Sequence, residues 1–173
     1  MKKIFFAAIV AALCITSCND ATSDKSSDAK QKNLAASDAI SKAFQTGDVS
    51  KIDSVVSDDF IDHTDRGDMK GRDSLKAMVK FVHANFTDMK TEKLHELADD
   101  EYVFSWMRYT GNSNGSVGMP KGPYDMSSIE VAKFKDGKAV EHWSFMNMQE
   151  MMKMMPPPPP PQENKMDTSK MKK

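Results

Sequence analysis

Phe134-Lys135-Asp136-Gly137-Lys138-Ala139-Val140-Glu141-His142-Trp143 is the stretch that decides the fold. Asp-Gly between two alternating runs favours a two-residue type I′ turn, since both central residues take positive φ and the resulting twist suits a hairpin. Lys135 then opposes Lys138, and steps outward pair Phe134 with Ala139, Ala132 with Glu141, Glu130 with Trp143, Ser128 with Phe145 and Met126 with Asn147. One hairpin face therefore carries Phe134, Met126, Trp143 and Phe145 together with Glu130 and Glu141. The other carries Ile129, Val131, Val140, His142, Ser144 and Met146.

Upstream of the hairpin, Tyr102 to Thr110 alternates with apolar residues on both faces, which predicts a central strand. Phe104, Trp106 and Arg108 share one face with Tyr102, and Val103, Ser105, Met107 and Tyr109 share the other. Met89 to Ala98 alternates more weakly and predicts a neighbouring strand, while the glycines at 115, 118 and 122 mark 112–122 as a loop. Earlier still the period is helical. Ala36, Ile40, Ala43 and Phe44 form a stripe that Gly47 ends; Ile52, Val55 and Val56 form a shorter one behind Asp48; Leu75, Met78, Val79, Val82 and Phe86 form the longest. Three helices followed by an antiparallel sheet predict an α+β domain, residues 33–150, with the helices covering one side of the sheet.

The flanks are of different character. Lys2 and Lys3 precede an apolar run from Ile4 to Ile15, about half the ~20 residues of a spanning helix, so residues 1–17 read as a signal peptide. The run ends at Ile15-Thr16-Ser17-Cys18, which resembles the bacterial lipobox. That resemblance implies a chain cleaved before Cys18, acylated there with palmitate-type chains and anchored to a bacterial envelope membrane facing the periplasm or exterior. Polar residues 19–32 read as a flexible tether. At the other end Met148, Met151, Met152 and Met155 follow helical spacing, favouring packing over soft-metal binding. Pro156 to Pro161 and a polar end complete a Met- and Pro-rich basic tail over 151–173.

The net charge of −1, from 24 basic and 25 acidic side chains, excludes the basic surface that nucleic acid requires. Residues 18–150 hold 17 basic and 23 acidic side chains, so the body is the acidic part.

SDDFIDHT at 57–64, FTDMKTEKLHELADDEYV at 86–103, GMPKG at 118–122 and FKDGKAVEHW at 134–143, in this order and behind the helices, resemble the SnoaL-like polyketide cyclase family of the nuclear transport factor 2-like superfamily. The resemblance implies a cone-like curved, mostly antiparallel sheet wrapped by the three N-terminal helices around an apolar pocket, and a homodimer formed through the outer sheet face. It also implies proton-transfer chemistry of the cyclase, isomerase or dehydratase kind, with Asp62 and His63 matching the family's Asp-His. Asn147 stands where cyclase members have an acid, and Ser113 where a His often follows Thr-Gly.

These observations define a candidate site. Glu130, or Asp62 with His63, would be the catalytic acid or base. Trp143, Phe145, Asn147, Trp106 and Met126 would contact a small apolar ligand, and Ile129, Val131, Val140, His142 and Met146 would form the dimer face. With an amide at 147, the expected role is binding of that ligand without turnover; the alternative is a proton-transfer enzyme. No His-X-His or His-X-X-X-His spacing and no Gly-rich phosphate loop occurs, so neither metal nor cofactor is called for.

Overall fold

A computed structural model describes residues 21–116 and 118–155. The proposed signal peptide, Cys18 and the Pro-rich tail lie outside the described residues. Helix α1 (Ala21–Thr46) is followed by a single turn, α2 (Ile52–Val55), and by strands β1 (Val56–Thr64) and β2 (Gly67–Lys70). Helix α3 (Arg72–Asn85) then leads into β3 (Phe86–Ala98), β4 (Tyr102–Ser113), β5 (Gly122–Lys135), β6 (Lys138–Phe145) and a short α4 (Met148–Met154). The six strands form one sheet in the order β2-β1-β6-β5-β4-β3, antiparallel throughout except for the β1–β6 pair. The α+β arrangement with three helices against a curved sheet is the one expected.

The helices begin and end for local reasons. Gly47, at φ 75°, closes α1 with its N–H still bonded to the Ala43 carbonyl at 2.8 Å, a conformation that glycine adopts without steric cost. Asp48 accepts from the Ser50 N–H at 2.9 Å and starts the chain back toward α2. The apolar stripes point inward: Ala36 and Ala43 of α1, Ile52 of α2, and Leu75 and Val79 of α3 are buried with Val56, Phe60, Val103, Phe134 and Ala139 of the sheet. Burial of each large side chain contributes roughly 1.5–3 kcal/mol, so this cluster fixes the helices on the inner sheet face. Asn33 is also buried, and its amide donates to the Asp100 carbonyl at 3.0 Å, tying α1 to the β3–β4 turn.

Three expectations are corrected. The segment read as a tether is helical from Ala21, the first turns of α1 extending a helix whose anchored part begins near Asn33. Val56, read as the last apolar position of the second helical stripe, instead opens β1, because pairing with β6 and β2 overrides the polar local sequence.

The third correction concerns the decisive hairpin. Its turn is as expected, with Asp136 at φ 54° and Gly137 at φ 75°, and Lys135↔Lys138 and Phe134↔Ala139 pair as predicted. A β-bulge then absorbs Val140, and the partners become Lys133↔Glu141, Ala132↔His142, Val131↔Trp143, Glu130↔Ser144 and Ile129↔Phe145. One extra residue exchanges the faces of everything beyond it on β6. His142, Ser144 and Met146 turn inward, while Glu141, Trp143 and Phe145 turn outward. Further register shifts at Thr87/Lys90, where Asp88 has φ 53°, and at Lys93/His95 bend β3 and curve the sheet into a cone.

Candidate active site

Alternation along each strand determines what the concave face presents. β1 contributes Phe60, Asp62 and Thr64; β4 contributes Val103, Ser105, Met107 and Tyr109; β5 contributes Met126, Ser128 and Glu130; His142, Ser144 and Met146 come from β6 and its end. With Ile40 and Phe44 of α1 and Leu75, Met78 and Val82 of α3, these side chains enclose a cavity of about 400 Å³, within the ~300–1,000 Å³ range of small-molecule sites. Six of the lining residues are methionines, Met69, Met78, Met89, Met107, Met126 and Met146, so the wall is apolar and pliable.

Into this wall is set a chain of ionisable groups. His142 Nδ1 lies 2.8 Å from Asp62 Oδ1, and His142 Nε2 lies 3.1 Å from Glu130 Oε2. The other Glu130 oxygen accepts from Tyr109 Oη at 3.0 Å and Ser144 Oγ at 3.2 Å, and also from Ser128 Oγ. Burial opposes charge on His142, but the Asp62 and Glu130 carboxylates at its two nitrogens push its pKa up to about 9. The ring is therefore an imidazolium at neutral pH, donating from both nitrogens. Burial likewise opposes ionisation of Glu130, yet His142 and the hydroxyls hold its carboxyl below the usual range. Burial, and then the neighbouring Glu130, pushes the Tyr109 phenol far up, so it stays a donor.

Chemically, Glu130 is spent: four protein donors occupy its two oxygens. Asp62 differs, since Oδ1 accepts from His142 while Oδ2 makes no hydrogen bond among the described residues. A carboxylate oriented by a cationic imidazole, with one oxygen turned to an apolar cavity, is the geometry of a general base.

Among the candidate residues, the cavity holds Asp62, Glu130 and Met126. His63, Trp143, Phe145 and Trp106 are on the convex face. There His63 stacks on Trp143 with ring centroids 4.7 Å apart at 14°, and its nitrogens meet Asp68 at 2.9 Å and Glu141 at 3.2 Å. Asn147 is spent on α4, its side chain accepting from the Glu150 N–H at 2.9 Å. Ser113 is buried and accepts from the Gly115 N–H at 3.1 Å. His142 was expected to pack on the outer face; only the Val140 bulge brings it inside, and nothing in the local alternation signals a bulge.

The family model for SnoaL-like polyketide cyclases matches residues 35–155, most of the chain. The chain belongs to the SnoaL-like polyketide cyclase family. The fold of this SnoaL-like domain recurs in solved structures. A protein assigned to the SnoaL-like polyketide cyclases from Jannaschia sp. superposes with a TM-score of 0.63 at 15% identity, covering 75% of this chain and 95% of that one. An LEH-like epoxide hydrolase from M. tuberculosis gives 0.59 at 13% identity, covering 73% and 90%. A nuclear transport factor 2-like protein of unknown function from Burkholderia pseudomallei gives 0.59 at 16%, covering 72% and 97%. At these identities the likeness is one of fold. No curated protein matches the chain.

Proposed function

We propose that this SnoaL-like domain is an envelope-anchored enzyme that moves a proton on a small apolar molecule, with Asp62 as base. The observation that carries the reading is the Asp62–His142–Glu130 chain set in an otherwise apolar cavity. Asp62 Oδ2 takes the proton, while the His142 cation at Oδ1 holds the carboxylate in place. Glu130 is a positioning residue, fixing the imidazolium from behind. Proton abstraction next to a carbonyl is the first step of an isomerisation or of an aldol-type ring closure, and a base oriented in this way is suited to it.

An apolar ketone such as tetralone tests the reading in deuterated water. Incorporation of deuterium next to the carbonyl, followed by NMR, should run well above the buffer rate with the protein present. Incorporation at the buffer rate would favour a second reading, in which the domain binds its ligand without turnover. That alternative draws on one observation: both His142 nitrogens and both Glu130 oxygens are already bonded within the protein.

The anchor is the acylated Cys18, expected as the first residue of membrane-extracted protein by mass spectrometry; an unmodified Cys18 would overturn it. Among the described residues no helix is long and apolar enough to cross a membrane. The convex face is the dimer surface of this proposal. Leu97, Phe104, Trp106, Ile129 and Phe145 are 75%, 45%, 45%, 38% and 58% exposed there, a concentration of apolar area that a two-fold pairing of identical sheets would cover.

A further inference from the structure

The ionisable side chains lining the cavity are unbalanced. Asp38, Asp62 and Glu130 supply three carboxylates, against which stand Lys93 and His142. Neither cation is available to a ligand. Lys93 Nζ is held by Asp38 at 2.6 Å and by Glu96, a further carboxylate, at 2.7 Å; His142 is held by Asp62 and Glu130 at 2.8 and 3.1 Å. If His142 lost its proton the excess of negative charge would only grow. Among the described residues no arginine lines this cavity. A carboxylate entering it would leave water without gaining a partner, and would approach Asp62 in an apolar surrounding where like charges repel strongly.

A cation meets the opposite environment. Asp62 Oδ2 makes no hydrogen bond among the described residues, and Phe44, Phe60, Phe86, Tyr109 and Tyr124 line the cavity with the six methionines, side chains of the kind that attract a cation. We infer that the cavity selects a cationic apolar molecule, an amine or related nitrogen cation on an aromatic or alicyclic body, with Asp62 as its counter-ion, and rejects carboxylates of the same shape. The inference rests on the reading of this cavity as the ligand site and names its substrate class.

Three probes of one shape test it: naphthylmethylammonium, naphthylmethanol and naphthoate, titrated calorimetrically into the full chain in phosphatidylcholine nanodiscs, with empty nanodiscs as blank. The ammonium should bind about tenfold or more tighter than the alcohol, and the carboxylate about tenfold or more weaker, with the spread shrinking at high salt. Asp62→Asn should collapse the ammonium preference while the alcohol still binds. Naphthoate binding as tightly as the ammonium overturns the inference and, with the alcohol bound, leaves the cavity reading standing. Absence of binding by all three overturns both. The wild-type comparison decides the matter even if Asp62→Asn does not fold.

Discussion

Asp62 and His142, eighty residues apart in sequence, meet at 2.8 Å across the parallel β1–β6 seam, where they are also direct register partners. The same seam is stitched on its outer face by the next residue of β1, with His63 Nε2 3.2 Å from Glu141. Adjacent residues of one strand thus serve opposite faces, and only the inner pair belongs to the cavity.

The inner pair makes stability depend on pH in a direction that can be worked out. His142 has a folded pKa of about 9 against an ordinary 6.5, so the folded state holds the proton more tightly. Its contribution is complete below about pH 6.5 and disappears as pH rises through about 9, amounting at most to roughly 3 kcal/mol. Denaturant unfolding between these pH values should show the loss, and His142→Asn should flatten the profile. A wild-type stability that does not change over this interval would count against the charged imidazole.

Phe134 is buried in the core beside Val56 and Ala139, just before the bulge. Phe134→Ala should cost about 3–5 kcal/mol in chemical denaturation, through lost burial and the cavity left behind. A cost below about 1 kcal/mol would mean that the hairpin base is not packed as described.

The turn makes a separate demand. Gly137 holds φ 75°, and Gly137→Ala should destabilise by about 1 kcal/mol through backbone conformation, with Lys32 at ordinary contact distance of the new methyl group. A stabilising Gly137→Ala would contradict the type I′ geometry.

Self-association through the convex face predicts that light scattering finds a dimer at tens of micromolar, and that Ile129→Lys or Phe145→Lys converts it to monomer. A wild-type monomer at that concentration would remove the dimer from the account.

Much of this molecule is legible in its sequence, and the exceptions have identifiable causes. The helical stripes of α1 and α3, the two-faced β4 and the Asp136-Gly137 turn follow from local periodicity and turn chemistry, which act within a few residues. β1 escapes because Ser57-Asp58-Asp59 is acidic and lacks apolar alternation; its pairing with β6 is a contact between distant segments. The site was half visible. The sequence points to Asp62 and Glu130, but one unpaired residue, Val140, exchanges Trp143 for His142 on the concave face. A bulge is favoured by sheet curvature rather than by the residues that form it, so the alternation around Val140 conceals it. The methionines of the cavity wall, scattered from Met69 to Met146, come together only when the cone closes.

In the proposed reaction Asp62 moves the proton while Glu130 positions His142. Deuterium incorporation into tetralone, measured for the wild type, Asp62→Asn and Glu130→Gln, tests it most directly. Asp62→Asn should fall to the buffer rate, and Glu130→Gln should retain activity above it, reduced and with its pH profile shifted by the less basic His142. Full activity in Asp62→Asn, or a fall to the buffer rate in Glu130→Gln alone, would contradict it.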